Sequence, residues 1–371
     1  MNDTAVCTDR DIDTGFFVVL VTCLSDLDQR SRLAAADTFG LTGDTDGTAA
    51  DTDFDKVRTA LREETETVLI DNIARTDLDL VAILGSHPVN RALLPDAVSL
   101  GRVNAKHIRA CIELSLRGEP QDRQEMQRRL MKLSQEMEID FSFQRDDMFR
   151  RMRRLICFDM DSTLIQTECI DELAERNGVG AEVRAITESA MRGEIDFKES
   201  FTRRVSLLKG LDVSVMQDIA EHLPITEGVD RLMTILKRCG YKIAILSGGF
   251  TYFGEYLQRR YGIDYMYANE LEVDDDGKLT GRYLGEVVDG HRKAELLKLI
   301  AQVEKVNLAQ TIAVGDGAND LPMISQAGLG IAFHAKPRVV ANARQSINTI
   351  GIDGVLYFLG FKDSYLGEDG N

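Results

Sequence analysis

The most informative segment of this chain spans residues 155–167 and reads LICFDMDSTLIQT. Its first four residues are apolar, as expected of a short parallel strand that is buried on both faces. Asp159 and Asp161 follow directly, and on extended backbone two residues this far apart point to the same side. Carboxylates this close repel each other unless a cation joins them or one holds a proton. The pair therefore predicts a metal site or an acid–base pair, with two solvated acids at a strand end as the alternative.

Ser162 and Thr163 come next and carry hydroxyls of the kind that cap helix N-termini. They predict a helix that begins near Leu164. The free amide N–H groups of its first turn would favour an anion.

Two later apolar runs also end in small or acidic residues. Residues 243–246 lead into Ser-Gly-Gly at 247–249, and residues 311–314 lead into GDGAND at 315–320. In a doubly wound α/β sheet, ligands bind beyond the carboxyl ends of the strands. The three runs therefore predict such a sheet, with a site where the strands end.

Four motifs, in this order, resemble those of the haloacid dehalogenase superfamily of phosphatases. They are DMDSTL at 159–164, LSGGF at 246–250, Lys293, and VGDGAND at 314–320. A fuller pattern resembles the phosphoserine phosphatases of that superfamily and adds Glu168, Met191, Phe197 and RVSLLK at 204–209. The match covers about residues 155–345. It implies an α/β fold, a doubly wound parallel sheet with a helical cap at about 168–224.

The resemblance also implies an activity: hydrolysis of O-phospho-L-serine through an aspartyl-phosphate intermediate, the last step of serine biosynthesis. Asp159 would be the nucleophile, Asp161 the general acid and base, and Lys293 a positive charge on the phosphate. Oxygen ligands without histidine clusters favour magnesium over zinc. Mg²⁺ would be held by Asp159, by the backbone carbonyl of Asp161 and by Asp316. Asp320 would orient the lysine or simply cap a helix.

The resemblance assigns the substrate-binding residues to two groups. Ser247 and the amide N–H groups of Gly248 and Gly249 would bind the phosphoryl oxygens, and Asn319 would donate to the substrate or to the phosphate. The serine group consists of Arg204 for the carboxylate, Glu168 for the ammonium, and Met191 and Phe197 as an apolar wall. Each of these residues also has an ordinary surface or structural interpretation, so the prediction depends on their joint spacing from Asp159.

With 371 residues the chain exceeds the usual size of a single core, and two domains are predicted, 1–150 and 151–371. In the first, residues 16–24 predict a strand and residues 108–143 a strand–helix–strand unit. Between them, a loop is predicted at 40–53, a helix at 55–68 and a strand at 78–84. The unit resembles the α+β ACT-like domains that precede some phosphoserine phosphatases, which implies a regulatory role; a plain packing module is the alternative. Residues 144–154 predict a solvated connection.

The formal net charge of −17 argues against nucleic acid or an anionic membrane surface as a partner, because both require a basic face. No apolar run approaches a membrane span, and the 6 cysteines lack Cys-x-x-Cys spacing, which favours reduced thiols. We therefore expect a cytoplasmic enzyme with a small-molecule substrate. A homodimer formed through paired sheet edges is compatible with the N-terminal unit.

Two other functions compete with this interpretation. One is a phosphatase of the same fold that acts on another small phosphate ester. The other is a nonenzymatic amino-acid sensor with an inert catalytic domain. The intact set of Asp159, Asp161, Lys293 and Asp316 argues against the second.

Overall fold

The computed structural model describes residues 16–24, 69–71, 109–117, 122–137, 140–145 and 147–361. The chain divides into two units: one comprises residues 1–151 and 360–371, and the other runs from Met152 to Leu359. The predicted loop at 40–53, helix at 55–68 and strand at 78–84 lie outside the described residues. Within the described part of the chain, no helix combines the length and the apolar character needed to cross a bilayer.

The N-terminal unit contains a four-stranded sheet in the order β2–β3–β1–β4. Its elements are β1 (Phe16–Leu24), β2 (Leu69–Asp71), β3 (Arg109–Arg117), α1 (Arg123–Met137), β4 (Asp140–Arg145) and α2 (Met148–Arg151). Strand β1 pairs antiparallel with both β3 and β4. Met126 and Leu130 of α1 are buried, one helical turn apart. The predicted strand at 16–24 and the strand–helix–strand unit are confirmed, whereas the ACT-like assignment stays a prediction.

The prediction of a solvated connection at 144–154 is confirmed only in part, because most of its described residues are exposed but Gln144 and two arginines are buried. Asp147 accepts hydrogen bonds from the amides of Phe149 and Arg150 and so starts α2. The side chains of Arg150 and Arg153 are buried. The segment is therefore folded structure, although its composition resembles that of a surface linker.

The second unit is built on a seven-stranded sheet in the order β11–β10–β9–β5–β6–β7–β8. Its strands are β5 (Leu155–Phe158), β6 (Lys242–Phe250), β7 (Tyr265–Val273), β8 (Leu279–Leu284), β9 (Thr311–Gly315), β10 (Leu329–Phe333) and β11 (Gln345–Ile347). Neighbouring strands from β11 to β7 are parallel, and only β8 pairs antiparallel. All four residues of β5 are fully buried at the centre of the sheet. The prediction of an α/β parallel sheet is confirmed.

Helices connect these strands, as the crossovers of a parallel sheet require. They are α7 (Val229–Arg238), α8 (Thr251–Tyr261), α9 (Gly290–Val303), α10 (Leu321–Gln326) and α11 (Pro337–Val340), and α12 (Val355–Phe358) follows the last strand. Four further helices lie between β5 and α7, and we call residues 169–221 the helical insertion. They are α3 (Cys169–Arg176), α4 (Gly180–Met191), α5 (Phe197–Ser206) and α6 (Ser214–Glu221).

The helical insertion enters and leaves through one pair of chain segments, 164–166 and 224–226, which we call the neck. The amide of Gln166 donates to the carbonyl of Pro224, and the amide of Thr226 donates to the carbonyl of Leu164. Ile165 and Ile225 form an antiparallel bridge between the two segments. The two ends of the insertion are thus hydrogen-bonded to each other.

The predicted helix near Leu164 is wrong, because the chain makes a tight turn there. The amides of Thr163, Leu164 and Ile165 all donate to the carbonyl of Met160. Ser162 has a φ of 57°, in the left-handed region, which interrupts right-handed helical backbone. The pairing of residues 164–166 in the neck then keeps the chain extended, and the first helix starts at Cys169.

Strands β7 and β8 form a hairpin, with Gly277 at a φ of 75° in its turn. It is bonded to the helical insertion through main-chain groups. The amide of Gly210 donates to the carbonyl of Leu279, and the amide of Leu279 donates to the carbonyl of Leu211. The amide of Val213 donates to the carbonyl of Gly277. The hairpin therefore supports the insertion from the edge of the sheet.

Candidate active site

A buried group of charged side chains lies where β5 and β9 end. We call Asp159, Lys293, Asp316 and Asp320 the carboxylate–lysine cluster. Lys293 is 0% exposed, and its Nζ lies 2.8 Å from Asp159 Oδ1 and 2.7 Å from Asp320 Oδ1. Carboxylate oxygens of the three aspartates lie within 4.8 Å of one another. Thr163 reaches the same place, with its hydroxyl 3.3 Å from Asp316 Oδ1.

The parallel sheet explains why these residues meet. Strands β5 and β9 are neighbours, and the amide of Asp159 continues their ladder by donating to the carbonyl of Val314. Parallel strands end at the same edge, so the residues that follow β5 and β9 come together. Lys293 lies in the first turn of α9, which Asp289 caps by accepting a hydrogen bond from the amide of Arg292.

Burial and mutual repulsion shift the pKa values of the cluster. Burial, followed by the negative charge of Asp159, raises the pKa of Asp316 to about 8 and that of Asp320 to about 7. Burial alone would lower the pKa of Lys293, but the charges of Asp159 and Asp320 outweigh it and raise that pKa. One ammonium thus faces three carboxylates. An excess of buried oxygen donors and negative charge fits a divalent cation, and among common metals it favours magnesium.

These pKa shifts predict how stability depends on pH without metal. An aspartate whose folded pKa lies above its usual value of about 4 keeps its proton longer in the folded state, so the free energy of unfolding falls as pH rises from about 4 to about 8. A bound cation relieves the repulsion between ionised carboxylates. Mg²⁺ should therefore raise the melting temperature more at about pH 8 than at about pH 5.5.

Differential scanning fluorimetry with EDTA or with Mg²⁺ measures this difference. The Asp316→Asn variant provides the comparison, because it removes one carboxylate of the cluster. It should show a smaller Mg²⁺ effect and a flatter pH dependence. An equal Mg²⁺ effect at both pH values would contradict the prediction.

Asp161 lies beside this cluster in a different environment. Its Oδ1 accepts a hydrogen bond of 3.3 Å from the amide of Cys169 at the start of α3. Burial, and then the negative charge of Glu168, raise the pKa of Asp161 well above its usual range. A carboxyl group with a raised pKa holds its proton more readily than a solvated aspartate, which suits it to donate that proton to a leaving group.

Glu168 and Arg204 bring opposite charges to the side of the site that faces the helical insertion. Glu168 accepts a hydrogen bond of 2.8 Å from the hydroxyl of Ser162. Burial lowers the pKa of Arg204 below its usual value, and the opposing charges of Glu168 and Asp171 only partly offset that effect. Its Nε is buried and has no hydrogen-bond partner among the described residues. An unpaired guanidinium N–H beside the site is suited to bind an anionic group.

The Ser-Gly-Gly segment forms the third side of the site. Ser247 is fully buried, and its Oγ accepts a hydrogen bond of 2.9 Å from the amide of Gly249. A Cβ placed on Gly248 would lie 3.2 Å from Phe197 Cζ and 3.9 Å from Asn319 Nδ2. A Cβ on Gly249 would collide with the carboxylate of Asp161. Gly249 is therefore required for this close approach, whereas a Cβ on Gly248 would make a tight contact with the Phe197 ring.

Comparisons with known proteins agree with this geometry. Residues 153–328 match the haloacid dehalogenase-like hydrolases. The phosphoserine phosphatase of Archaeoglobus fulgidus is 47% identical over 238 residues, which cover 63% of this chain and 69% of that protein. The chain belongs to the haloacid dehalogenase-like hydrolases and, within them, to the phosphoserine phosphatase family.

Solved structures of this family extend the likeness to the fold. One is a substrate-bound phosphoserine phosphatase complex, and another is a phospho-aspartyl intermediate analogue of phosphoserine phosphatase. Each is 43% identical to this chain with a TM-score of 0.53, and covers 56% of this chain and 98% of its own. The catalytic unit thus matches nearly the whole length of these relatives.

Most residues predicted from the family pattern lie together in the structure, although their roles stay predictions. Met191 differs, because its side chain is 60% exposed and its sulfur lies 3.7 Å from Nζ of Lys336. The amide of Gly249 also differs, because it already donates to Ser247. The Ser247 hydroxyl and the Gly248 amide therefore remain the donors of this segment that are predicted to bind phosphate.

Two residues near the site were not predicted from the sequence. Thr163 was interpreted as a helix cap, but its hydroxyl contacts Asp316. Asn269 lies within β7 and is hydrogen-bonded to the Ser-Gly-Gly segment. A polar residue in the middle of the strand sequence YMYANELEV was the only local signal for it.

Proposed function

We propose that this chain hydrolyses O-phospho-L-serine to L-serine and inorganic phosphate, with Mg²⁺, as the last step of serine biosynthesis. The observation that carries the proposal is the buried pair of Asp159 and Lys293, 2.8 Å apart at the carboxyl edge of the sheet. Arg204 and Glu168 lie close enough to Asp161 for their charges to influence one another, and they offer charges complementary to an amino acid. The relatives named as phosphoserine phosphatases support the same substrate.

In the first step, a carboxylate oxygen of Asp159 would attack phosphorus while the bond from phosphorus to the serine oxygen breaks. Asp161 would give its proton to that oxygen, so serine leaves neutral at the hydroxyl and an aspartyl phosphate remains. In the second step, a water molecule would attack phosphorus while the bond from phosphorus to the Asp159 oxygen breaks, and Asp161 would take a proton from that water. The product phosphate then leaves, and Asp159 and Asp161 return to their starting states.

The residues around Asp159 would lower the barrier by placing positive charge and hydrogen-bond donors on the phosphoryl oxygens. Lys293 would provide the charge, and Ser247 and Gly248 the donors. Asp159, Asp316 and the backbone carbonyl of Asp161 would hold Mg²⁺, which when bound allows carboxylates to face a phosphate dianion.

Asp320 is less suited to be a metal ligand than Asp316. One of its oxygens accepts from Lys293, and the other accepts from the amide of Gly317 at 2.9 Å. Both oxygens are therefore occupied in holding the lysine and the turn after β9. We assign Asp320 to orienting Lys293.

A substrate panel tests the proposed function directly. Phosphate release from phosphoserine, phosphothreonine, glycerol phosphate and p-nitrophenyl phosphate would be measured with Mg²⁺ and with EDTA. Phosphoserine should have the highest kcat/KM, and EDTA should remove the activity. A higher kcat/KM on another ester would identify that ester, and not phosphoserine, as the preferred substrate. Inactivity on all four esters with Mg²⁺ would favour the nonenzymatic sensor.

A truncated chain that begins at Arg150 should keep Mg²⁺-dependent phosphatase activity. All the proposed catalytic residues lie beyond this point, so the catalytic unit should fold and work alone. The kcat on p-nitrophenyl phosphate, with circular dichroism as a check of folding, measures the outcome. A folded but inactive truncated chain would contradict the proposed boundary.

The same comparison tests a regulatory N-terminal unit. We propose that this unit is ACT-like and regulates the catalytic unit of a cytoplasmic enzyme, so that its effect requires the full chain. Added serine should then change kcat/KM of the full chain and leave the truncated chain unaffected. Equal responses of the two chains would assign the N-terminal unit to packing alone.

A further inference from the structure

Asn269 is a buried amide side chain that is hydrogen-bonded to two parts of the site. It lies in β7 and is 1% exposed. Its Nδ2 donates to the carbonyls of Gly248 at 2.8 Å and Gly249 at 3.2 Å. Its Oδ1 accepts a hydrogen bond of 2.8 Å from the amide of Val288. Both ends of the amide are therefore paired with main-chain groups.

The first partner segment has an irregular backbone. Leu246 of β6 pairs with Tyr267 of β7, but the next pair is Phe250 with Asn269, so β6 contains two residues more than β7 between these pairs. Such a bulge leaves main-chain groups without the regular ladder. Asn269 supplies the donor that the carbonyls of Gly248 and Gly249 need, and so fixes the Ser-Gly-Gly segment in its bulged conformation.

The second partner is the segment that starts α9. Val288 immediately precedes Asp289, the N-cap of that helix, and Lys293 lies in its first turn. The carbonyl of Val288 also lies close to the Ser-Gly-Gly segment, 3.5 Å from a Cβ placed on Gly248. One side chain thus connects the segment that carries Ser247 to the helix that carries Lys293.

We propose that Asn269 is a positioning residue that sets the separation between the Ser247–Gly248 phosphate donors and Lys293. This inference rests on the proposed phosphatase function. The two groups bind the same phosphoryl oxygens from different elements of the fold, so their relative placement decides how well they fit the transition state. An error of about 1 Å in such a placement can cost about 100-fold in rate.

The Asn269→Leu variant tests this, because leucine keeps nearly the same shape and removes all three hydrogen bonds. We expect kcat to fall by about 10- to 100-fold on both phosphoserine and p-nitrophenyl phosphate, with a smaller change in KM. The equal loss on both substrates separates an effect on phosphate from an effect on serine recognition. Asn269→Asp, which keeps the acceptor for Val288 and loses both donors, should show a loss of the same kind.

The control is Asn307→Ala, at the opposite end of β9 from the site. Asn307 also bonds the main chain through its side chain, accepting from the amide of Ala309 at 2.9 Å. This variant should lose stability but keep kcat within about threefold of wild type. Wild-type activity is measured in parallel, so an inactive wild type would reject the proposed function itself. With an active wild type, folded Asn269 variants of normal kcat would overturn the inference. Failure of both Asn269 variants to fold would also overturn the inference, because Asn269 would then be required for the stability of the sheet.

Discussion

The Asp159→Asn variant should lose several orders of magnitude in kcat on phosphoserine while it stays folded. The amide has almost the same size as the carboxylate, but it lacks the negative charge needed to attack phosphorus and to bind a metal. Lys293 keeps Asp320 as a partner at 2.7 Å, so no buried ammonium is left unpaired. Phosphate release at saturating Mg²⁺ measures kcat, and circular dichroism measures folding.

The control for this variant is Asp212→Asn. Asp212 is exposed and accepts a hydrogen bond from the amide of Ser214 at the start of α6. Its replacement should leave kcat unchanged. Activity of Asp159→Asn within about tenfold of wild type, which corresponds to about 1.4 kcal/mol of barrier, would exclude Asp159 as the nucleophile.

The Arg204→Ala variant should lose activity selectively. We propose that its guanidinium pairs with the substrate carboxylate, and loss of one partner of such a buried pair costs about 2–5 kcal/mol. On phosphoserine, kcat/KM should therefore fall by about two to three powers of ten. On p-nitrophenyl phosphate, which has no carboxylate, the value should change by less than about threefold.

The adjacent Arg203 provides a matched control. It is exposed and forms an ion pair with Glu199 one turn earlier in α5. Exposed pairs of this kind contribute little to stability, so Arg203→Ala should behave as wild type on both substrates. If Arg204→Ala lowers the two activities equally, then Arg204 binds the phosphate or stabilises the fold. The proposed basis of substrate choice would then be wrong.

The sheet could be predicted from the sequence because its strands have simple patterns. The continuous apolar runs of β5 and β9 indicate burial on both faces, and the small and acidic residues after them indicate where the site lies. The placement of Asp159 and Asp316 together follows from that pattern alone. Lys293 could not be derived in this way, since one lysine on a helix is usually solvated; only the family resemblance singled it out.

The errors arose where contacts between distant residues override local preference. Ser162 and Thr163 have the composition of a helix cap, but the neck holds the following residues in extended pairing with residues 224–226. The bonds of Asn269 reach 20 and 21 residues back along the chain and 19 forward. The residues next to Asn269 in the sequence do not indicate partners this far along the chain. An asparagine in the middle of a strand is the most that the sequence offers.

The neck has a consequence for how this protein can vary. Because the two segments that leave the sheet for the helical insertion are hydrogen-bonded to each other, the insertion is closed at its base, and the β7–β8 hairpin is its other main-chain contact with the sheet. Loops whose ends are held together tolerate changes in length at small entropic cost. The residues beyond the neck can therefore be lengthened, shortened or exchanged while the sheet and the aspartates on its edge keep their positions. If Arg204 binds the substrate carboxylate as proposed, substrate choice can change through the helical insertion while Asp159 and Asp316 keep their positions.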